Sequence, residues 1–125
     1  MSNQIILVNW FEIPATDLDR AKKFYEVVFD IELSLNDMEN SKMAWFPFTE
    51  GGAGATGSLV KAESYTPSNI GTMVYFSVED IESTLQRVEE NGGKVIIAKM
   101  NIGEFGYYGH FEDSEGNRLG LHSEK

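Results

Sequence analysis

The sequence contains two similar halves that repeat at an interval of 62 or 63 residues, and this repeat constrains the fold more than any other feature. Asp17-Leu18 in the first half corresponds to Asp80-Ile81 in the second. The other matched positions are Trp10 with Met73, Glu12 with Tyr75, and Gly54 with Gly116. Such a repeat indicates two copies of one supersecondary unit that share a core. With 125 residues, the chain is long enough for one domain and too short for two independent domains.

The first half predicts a strand, a helix and three further strands. Residues 7–13 are rich in β-branched and aromatic side chains, and Pro14 cannot continue a sheet ladder. Thr16 or Asp17 is expected to cap a helix whose apolar residues recur at helical spacing. Short apolar segments at 31–35, 43–48 and 57–62, separated by Asn, Asp or Gly, predict a β-meander.

The second half repeats this βαβββ order. A strand is predicted at 72–78, followed by an acidic cap and a helix that ends at Asn91-Gly92-Gly93. Strands follow at 94–100, 107–112 and 118–122, and the last two are joined by a strong turn at 113–117. The predicted fold is therefore α+β, with module 1 at about 5–62, a polar connector at 63–70 and module 2 at about 71–123.

Period-two alternation assigns the strand residues to two faces. Phe11 and Ile13 are expected to point towards the helices, whereas Trp10 and Glu12 point to the opposite side. Because both sides carry apolar residues, the side without helices should enclose a ligand or contact another sheet.

Composition excludes several classes of function. Twenty acidic and ten basic residues give a formal charge of −10, which disfavours nucleic acid and anionic membrane surfaces as partners, although the charge also has a simpler role in solubility. Cysteine is absent, so disulfides, thiolate metal sites and a Cys nucleophile are excluded. Residues 1–4 lack a basic leader pattern, and the apolar run 5–8 is too short to span a membrane, so a cytoplasmic location is expected.

Two segments resemble the vicinal oxygen chelate superfamily, which includes glyoxalase I, extradiol dioxygenases, and fosfomycin and bleomycin resistance proteins. These segments are 11–25, FEIPATDLDRAKKFY, and 111–121, FEDSEGNRLGL. The resemblance implies paired βαβββ modules that form a cup-shaped mixed sheet with helices on the outer face. It also implies a homodimer, sometimes with modules exchanged between chains. Because this fold hosts several chemistries, the activity must be argued from the site.

In metal-using members of that superfamily, His, Glu or Gln ligands lie on the first and last strands of each module. The corresponding positions here are Trp10, Ser58, Met73 and Gly120. An indole, a thioether and a glycine offer no suitable donor to an oxygen-binding divalent metal. The sequence therefore predicts no metal and no cofactor, and it resembles the metal-free, drug-sequestering members.

We expect the site to bind a small aromatic or cationic molecule between the module faces. Glu12 would meet a cationic group on the ligand. The other predicted ligand-binding residues are Trp10, Trp45, Met73, Tyr75, Tyr108, Arg118 and His122. Aromatic residues and Met are also common in cores and interfaces, so a dimerisation surface without a cavity is an alternative.

An enzymatic alternative uses Glu12 with His110 or His122 in a lyase or isomerase, or in a displaced metal site. If Glu112 and Arg118 pair across the turn, both histidines share their face. A polar cluster that satisfies its own hydrogen bonds is the simpler interpretation.

Two glycine-containing segments complete the candidates. Residues 52–57 match G-x-G-x-x-G, but a strand rather than a helix is predicted to follow, which favours a flexible turn over a nucleotide site. Residues 103–108 could form a lid over the cup or an ordinary turn.

Overall fold

Module 1 is a four-stranded sheet with one helix. The computed structural model describes residues 5–125. The sheet has the order β1-β4-β3-β2, in which β1 is parallel to β4 and the other neighbours are antiparallel. Its elements are β1 (Trp10–Pro14), α1 (Leu18–Phe29), β2 (Ser34–Met38), β3 (Ser41–Trp45) and β4 (Thr56–Ala62).

Module 2 repeats this topology, with the order β5-β8-β7-β6 and a parallel β5–β8 pair. A 3₁₀ turn at Gly103–Phe105 joins its second and third strands. Its elements are β5 (Tyr75–Ser77), α2 (Ile81–Glu90), β6 (Lys94–Asn101), β7 (Tyr107–Glu112) and β8 (Arg118–Ser123). The predicted α+β class with two βαβββ modules is confirmed. Neither helix has the length and apolarity needed to cross a membrane.

An aspartate caps each helix, at the matched repeat positions Asp17 and Asp80. The Asp17 carboxylate accepts a hydrogen bond from the Arg20 backbone N–H at 3.0 Å, and Asp80 accepts one from Ser83 at 3.1 Å. Each bond satisfies a backbone donor that has no partner within the helix. Thr16, the alternative cap, instead donates its backbone N–H and hydroxyl to Glu115.

Several predicted strands have different limits. The first begins at Trp10 rather than at residue 7, and residues 5–8 are exposed coil. The segment predicted at 31–35 forms a strand only from Ser34, because Asp30 ends α1 with a left-handed φ of 53° and Ile31 N–H still bonds to the Glu26 carbonyl. The strands predicted at 43–48 and 72–78 are found at Ser41–Trp45 and Tyr75–Ser77. Three other strands are one residue longer than predicted: Thr56–Ala62, Lys94–Asn101 and Arg118–Ser123.

A single apolar core lies on the helical side of both sheets. Phe11 and Phe76, at equivalent positions of the two modules, meet edge to face with ring centroids 5.6 Å apart. The fully buried core residues from both modules include Tyr25, Val28, Leu59, Ile81, Phe111 and Leu121. The predicted assignment of strand residues to two faces therefore holds for this side. The opposite faces carry the candidate site residues.

The turn between β7 and β8 joins module 2 to the start of α1. The Tyr25 hydroxyl donates to the buried Asp113 carboxylate at 2.6 Å, and the Asn117 amide donates to the Pro14 carbonyl at 2.8 Å. Glu115 accepts hydrogen bonds from the Arg20 guanidinium at 2.7 and 3.0 Å. These bonds between residues distant in sequence fix the orientation of one module relative to the other.

Candidate functional site

The face of the first sheet opposite α1, here called the module 1 face, carries an aromatic pair beside a carboxylate. Strand register places Glu12, Ser58 and Trp45 in one row across β1, β4 and β3. The Trp10 and Trp45 rings meet edge to face, with centroids 5.2 Å apart and an interplanar angle of 74°. This geometry is favourable for two aromatic rings and leaves apolar surface for a further ring.

An open cavity of about 460 Å³ lies on this face. That volume is sufficient for a small organic ligand. It is lined by Trp10, Glu12, Met38, Ser41, Met43, Trp45, Val60 and Tyr65. A neighbouring cavity of about 580 Å³ shares Met38, Ser41 and Tyr65 with it. The charged residues that line this neighbouring cavity are Asp37, Glu39, Glu63, Lys42 and Lys61.

Tyr65 is a site residue that the sequence did not reveal. It lies in the connector between modules, and its hydroxyl donates a hydrogen bond to the Glu12 carboxylate. This hydrogen bond to Glu12, together with the negative charge of Glu12, raises the pKa of Tyr65. The one sequence signal was an aromatic residue within an otherwise polar connector.

Two buried polar atoms on the module 1 face have no hydrogen-bond partner among the described residues. They are the indole Nε1 of Trp45 and the hydroxyl Oγ of Ser58, which lie on paired strand positions. A buried polar atom without a partner is energetically costly, so this part of the sheet is less stable than a fully hydrogen-bonded one.

The corresponding face of the second sheet, here called the module 2 face, carries a hydrogen-bonded chain. The Tyr75 hydroxyl lies 2.6 Å from Nε2 of His110. Arg118 Nε and Nη2 lie 3.2 and 3.0 Å from the other ring nitrogen, Nδ1. Burial and the positive charge of Arg118 lower the pKa of His110. Both effects favour the neutral form of the ring over the protonated form.

The remaining candidates on the module 2 face have other contacts. The Tyr108 ring packs edge to face on His110, with centroids 5.4 Å apart. His122 Nε2 lies 2.7 Å from the Phe105 carbonyl oxygen. Met73 precedes β5 and is half-buried. Glu112 and Arg118 are paired in register, as expected.

The glycine-containing segments form turns in the structure. Residues 52–55 form a loop, and β4 then runs from Thr56, so no helix begins after the G-x-G-x-x-G match. Gly103–Phe105 is a 3₁₀ turn closed by a hydrogen bond from Gly106 N–H to the Gly103 carbonyl at 3.1 Å.

Comparison with known proteins gives a consistent result. The model of the Glyoxalase/Bleomycin resistance protein/Dioxygenase superfamily matches residues 7–121. The chain belongs to this superfamily. A glyoxylase-like domain-containing protein of Didymella fabae is 32% identical over 114 residues, covering 88% of each chain. A putative glyoxylase of Mycobacterium tuberculosis, CFP32, is 25% identical over 90% of this chain, which spans 44% of that relative.

Solved structures of the superfamily share the fold at low sequence identity. A glyoxylase/bleomycin resistance protein/dioxygenase domain from Frankia sp. EAN1pec has a TM-score of 0.74 at 16% identity, covering 98% of this chain and 100% of its own. Maize glyoxalase I has a TM-score of 0.68 at 16% identity, and the match covers 92% of this chain and 45% of the maize chain. These matches show a shared architecture.

The four positions that correspond to metal ligands in the superfamily do not fit a metal. Ser58 is fully buried, with its hydroxyl unpartnered, and Gly120 lies beneath the ring of Tyr75. Trp10 packs on Trp45, and Met73 offers a thioether. Within residues 5–125, no three His, Asp or Glu side chains come together in a group suited to an ion.

The predicted site residues form two groups rather than one. Trp10, Glu12 and Trp45 line the cavity on the module 1 face, and every residue lining that cavity belongs to module 1 or the connector. The Tyr75 network lies on the module 2 face. Among the described residues, no hydrogen bond joins Glu12 to His110 or His122, so the acid–base pairing considered from the sequence is not formed.

Proposed function

We propose that this protein binds a small aromatic or cationic molecule on the module 1 face, without a metal. The observation that carries the proposal is the Trp10–Trp45 pair beside the Glu12 carboxylate, within a cavity of about 460 Å³. This function resembles sequestration by the metal-free members of the superfamily.

Each part of the cavity has a role in binding. An aromatic ligand gains by removing its rings and those of Trp10 and Trp45 from water. The Glu12 carboxylate and the formal charge of −10 attract a cationic group.

We also propose that the protein is a cytoplasmic homodimer. Ile5, Ile6, Leu7 and Val8 form an exposed apolar segment outside the cavity, and apolar surface of this kind is commonly covered by association. The absence of cysteine is consistent with a reducing compartment. Sedimentation equilibrium tests the dimer, for which a mass of twice 14.0 kDa is expected.

The ligand experiment uses the two tryptophans as internal reporters. Both tryptophans of the chain line the cavity, so the two indole N–H signals in a ¹H–¹⁵N spectrum report on this site alone. We expect 2-naphthylmethylammonium to shift both signals saturably, and the neutral 2-naphthylmethanol to bind more weakly. The same titrations in the presence of EDTA should give unchanged affinities.

Variants separate the contribution of the aromatic rings to binding from that of the Glu12 charge. Trp10→Ala should abolish the shift of the Trp45 signal, and Glu12→Gln should remove the preference for the ammonium compound over the alcohol. Glu32→Gln removes an exposed carboxylate outside the cavity and should retain that preference. Indole signals that do not move with either compound, or affinity that disappears with EDTA, would contradict the proposal.

A further inference from the structure

The connector contributes one side chain to the cavity on the module 1 face. Among the described residues of the connector, only Tyr65 lines this cavity. β4 ends at Ala62, and in the turn that follows Tyr65 N–H bonds to the Ala62 carbonyl at 3.1 Å. This turn returns the chain to the module 1 face, where the Tyr65 hydroxyl donates to Oε1 of Glu12. A local turn at the end of β4 therefore places a phenol beside the carboxylate of the cavity.

The hydrogen bond from Tyr65 occupies one oxygen of the Glu12 carboxylate. An ionised carboxylate has two oxygens and about four acceptor positions. Among the described residues, Oε2 of Glu12 accepts no hydrogen bond, and no lysine or arginine forms an ion pair with Glu12. Oε2 therefore stays available to a donor in the cavity that Glu12 lines.

The bond to Tyr65 also restricts the Glu12 side chain before any ligand arrives. Glu12 is exposed on the sheet surface, and a glutamate side chain has several rotatable bonds. Ordering such a side chain during binding costs free energy, whereas a side chain already held in place avoids most of this cost. The orientation matters most to a ligand that donates a hydrogen bond, because hydrogen bonds are directional, whereas the attraction between charges depends mainly on their distance.

We propose that Tyr65 is a positioning residue that makes this cavity selective for protonated amines with N–H groups over quaternary ammonium ions. The inference rests on the proposed function, because it concerns the ligand bound there. Tyr65 holds Oε1 of Glu12, and an ammonium N–H of the ligand donates to Oε2 while its aromatic part contacts Trp10 and Trp45. A quaternary ammonium ion carries the same charge but has no N–H, so it gains nothing from the orientation of Oε2.

The test compares 2-naphthylmethylammonium with its N,N,N-trimethyl derivative, which has the same ring system and the same charge. Both compounds are titrated into the full chain and followed through the two indole N–H signals, and we expect the wild-type protein to bind the primary ammonium more tightly. Tyr65→Phe retains the ring and removes the hydroxyl. It should reduce the ratio of the two affinities by roughly three- to tenfold, the effect of leaving one flexible side chain for the ligand to order. Affinity for the trimethyl compound should stay within about twofold, because the charge of Glu12 is retained.

Tyr107→Phe is the matched control. Tyr107 lies on β7, where its ring packs against the Lys99 ammonium group, and it does not line the cavity. This variant should leave the affinity ratio unchanged. An unchanged ratio in Tyr65→Phe would overturn the inference. An equal loss of affinity for both compounds would also overturn it, because that result indicates a purely structural role for the hydroxyl.

The ionisation of Tyr65 gives a check that requires no ligand. The hydrogen bond to Glu12 and the negative charge of Glu12 raise the pKa of Tyr65 above its ordinary value of 10.0. Glu12→Gln should lower the Tyr65 midpoint towards 10.0 in an NMR titration, whereas Glu32→Gln should not move it. A Tyr65 midpoint that is insensitive to Glu12→Gln would overturn the inference even if Tyr65→Phe alters binding.

The outcomes distinguish failure of this inference from failure of the proposed function. If neither ammonium compound shifts the indole signals of the wild-type protein, the proposed function fails and the inference fails with it. If the primary ammonium binds and its preference persists in Tyr65→Phe, only the inference fails.

Discussion

The ring of Tyr75 occupies the space that any side chain at position 120 would need. A Cβ atom added to Gly120 would lie 2.4 Å from two Tyr75 ring carbons, much closer than van der Waals contact allows. The two residues are direct partners in the parallel β5–β8 register. One strand position therefore accounts for both the absence of a ligand side chain on β8 and the placement of the Tyr75 hydroxyl beside His110.

A substitution at position 120 tests this relationship. We expect Gly120→Ala to displace Tyr75, break its hydrogen bond to His110 and lower the free energy of unfolding by about 1–3 kcal/mol, the usual cost of overpacking. A double-mutant cycle with Tyr75→Ala is the control, measured by chemical denaturation. The cost of Gly120→Ala should largely disappear when the ring is absent, and additive effects would contradict the clash.

The lowered pKa of His110 predicts an effect of acid. The folded protein resists protonation of this ring, so the unfolded chain takes up the proton first as the pH falls through the ordinary value of 6.5. The contribution of His110 to stability is therefore present above pH 6.5 and is lost below it. NMR titration should give a midpoint below 6.5 for His110.

Arg118→Gln should raise the His110 midpoint only part of the way to 6.5, because burial, the larger cause of the lowered pKa, remains. Lys99→Gln is the control, because it removes a positive charge from a side chain that packs over the Tyr107 ring and does not bond to His110. This variant should leave the His110 midpoint unchanged. A His110 midpoint at or above 6.5 in the wild-type protein would contradict the network.

Glu115 predicts a second pH effect, at lower pH. Desolvation disfavours its ionised form, but hydrogen bonds from Arg20, Asp17 N–H, Ser114 and Thr16 outweigh this and lower its pKa from 4.5 to about 2. Its contribution to stability is thus present above pH 4.5 and is lost as the pH falls towards 2.

We expect Glu115→Gln to lower the free energy of unfolding at pH 7 by about 1–3 kcal/mol and to flatten its decline in acid. Glu89→Gln, at an exposed position of α2, should leave the decline unchanged. Denaturation curves from pH 7 to pH 2 measure both variants. An unaltered acid slope in Glu115→Gln would show that these hydrogen bonds contribute little.

The glycine-rich segment at 52–57 gives a prediction about stability. At Gly57 a Cβ atom would lie 2.1 Å from the Phe11 carbonyl oxygen, whereas Gly54 has open space and a φ of 81°. Gly54→Ala should cost about 1–2 kcal/mol through its left-handed backbone alone. Gly57→Ala should cost more in the same denaturation assay, and an equal or smaller cost would contradict the close packing of β1 on β4.

The local pattern was sufficient to predict much of the fold. The strand at 107–112 lies at the predicted position, and α1 is capped by Asp17, one of the two predicted caps. Both features depend on neighbours in sequence, namely alternation along one strand and a carboxylate three residues before an N–H donor. The segment at 72–78 yielded only three strand residues, because strand length also depends on a partner strand elsewhere in the chain.

The candidate site could be predicted only in part. Strand alternation correctly placed Trp10 with Glu12, and His110 with Arg118, on shared faces. It could not predict that Tyr65 reaches back from the connector to Glu12, because that contact spans 53 residues. Nor could it predict how the two faces are placed relative to each other, which depends on the packing of the modules around the common core.

The proposed function requires that this superfamily member bind its ligand without a metal. The most direct test is the metal content of untagged protein expressed with added zinc, nickel, manganese and iron and purified without chelators, measured by inductively coupled plasma mass spectrometry. We predict substoichiometric amounts of every metal and the same 2-naphthylmethylammonium affinity before and after EDTA. One tightly bound ion per chain whose removal abolishes ligand binding would contradict metal-free binding.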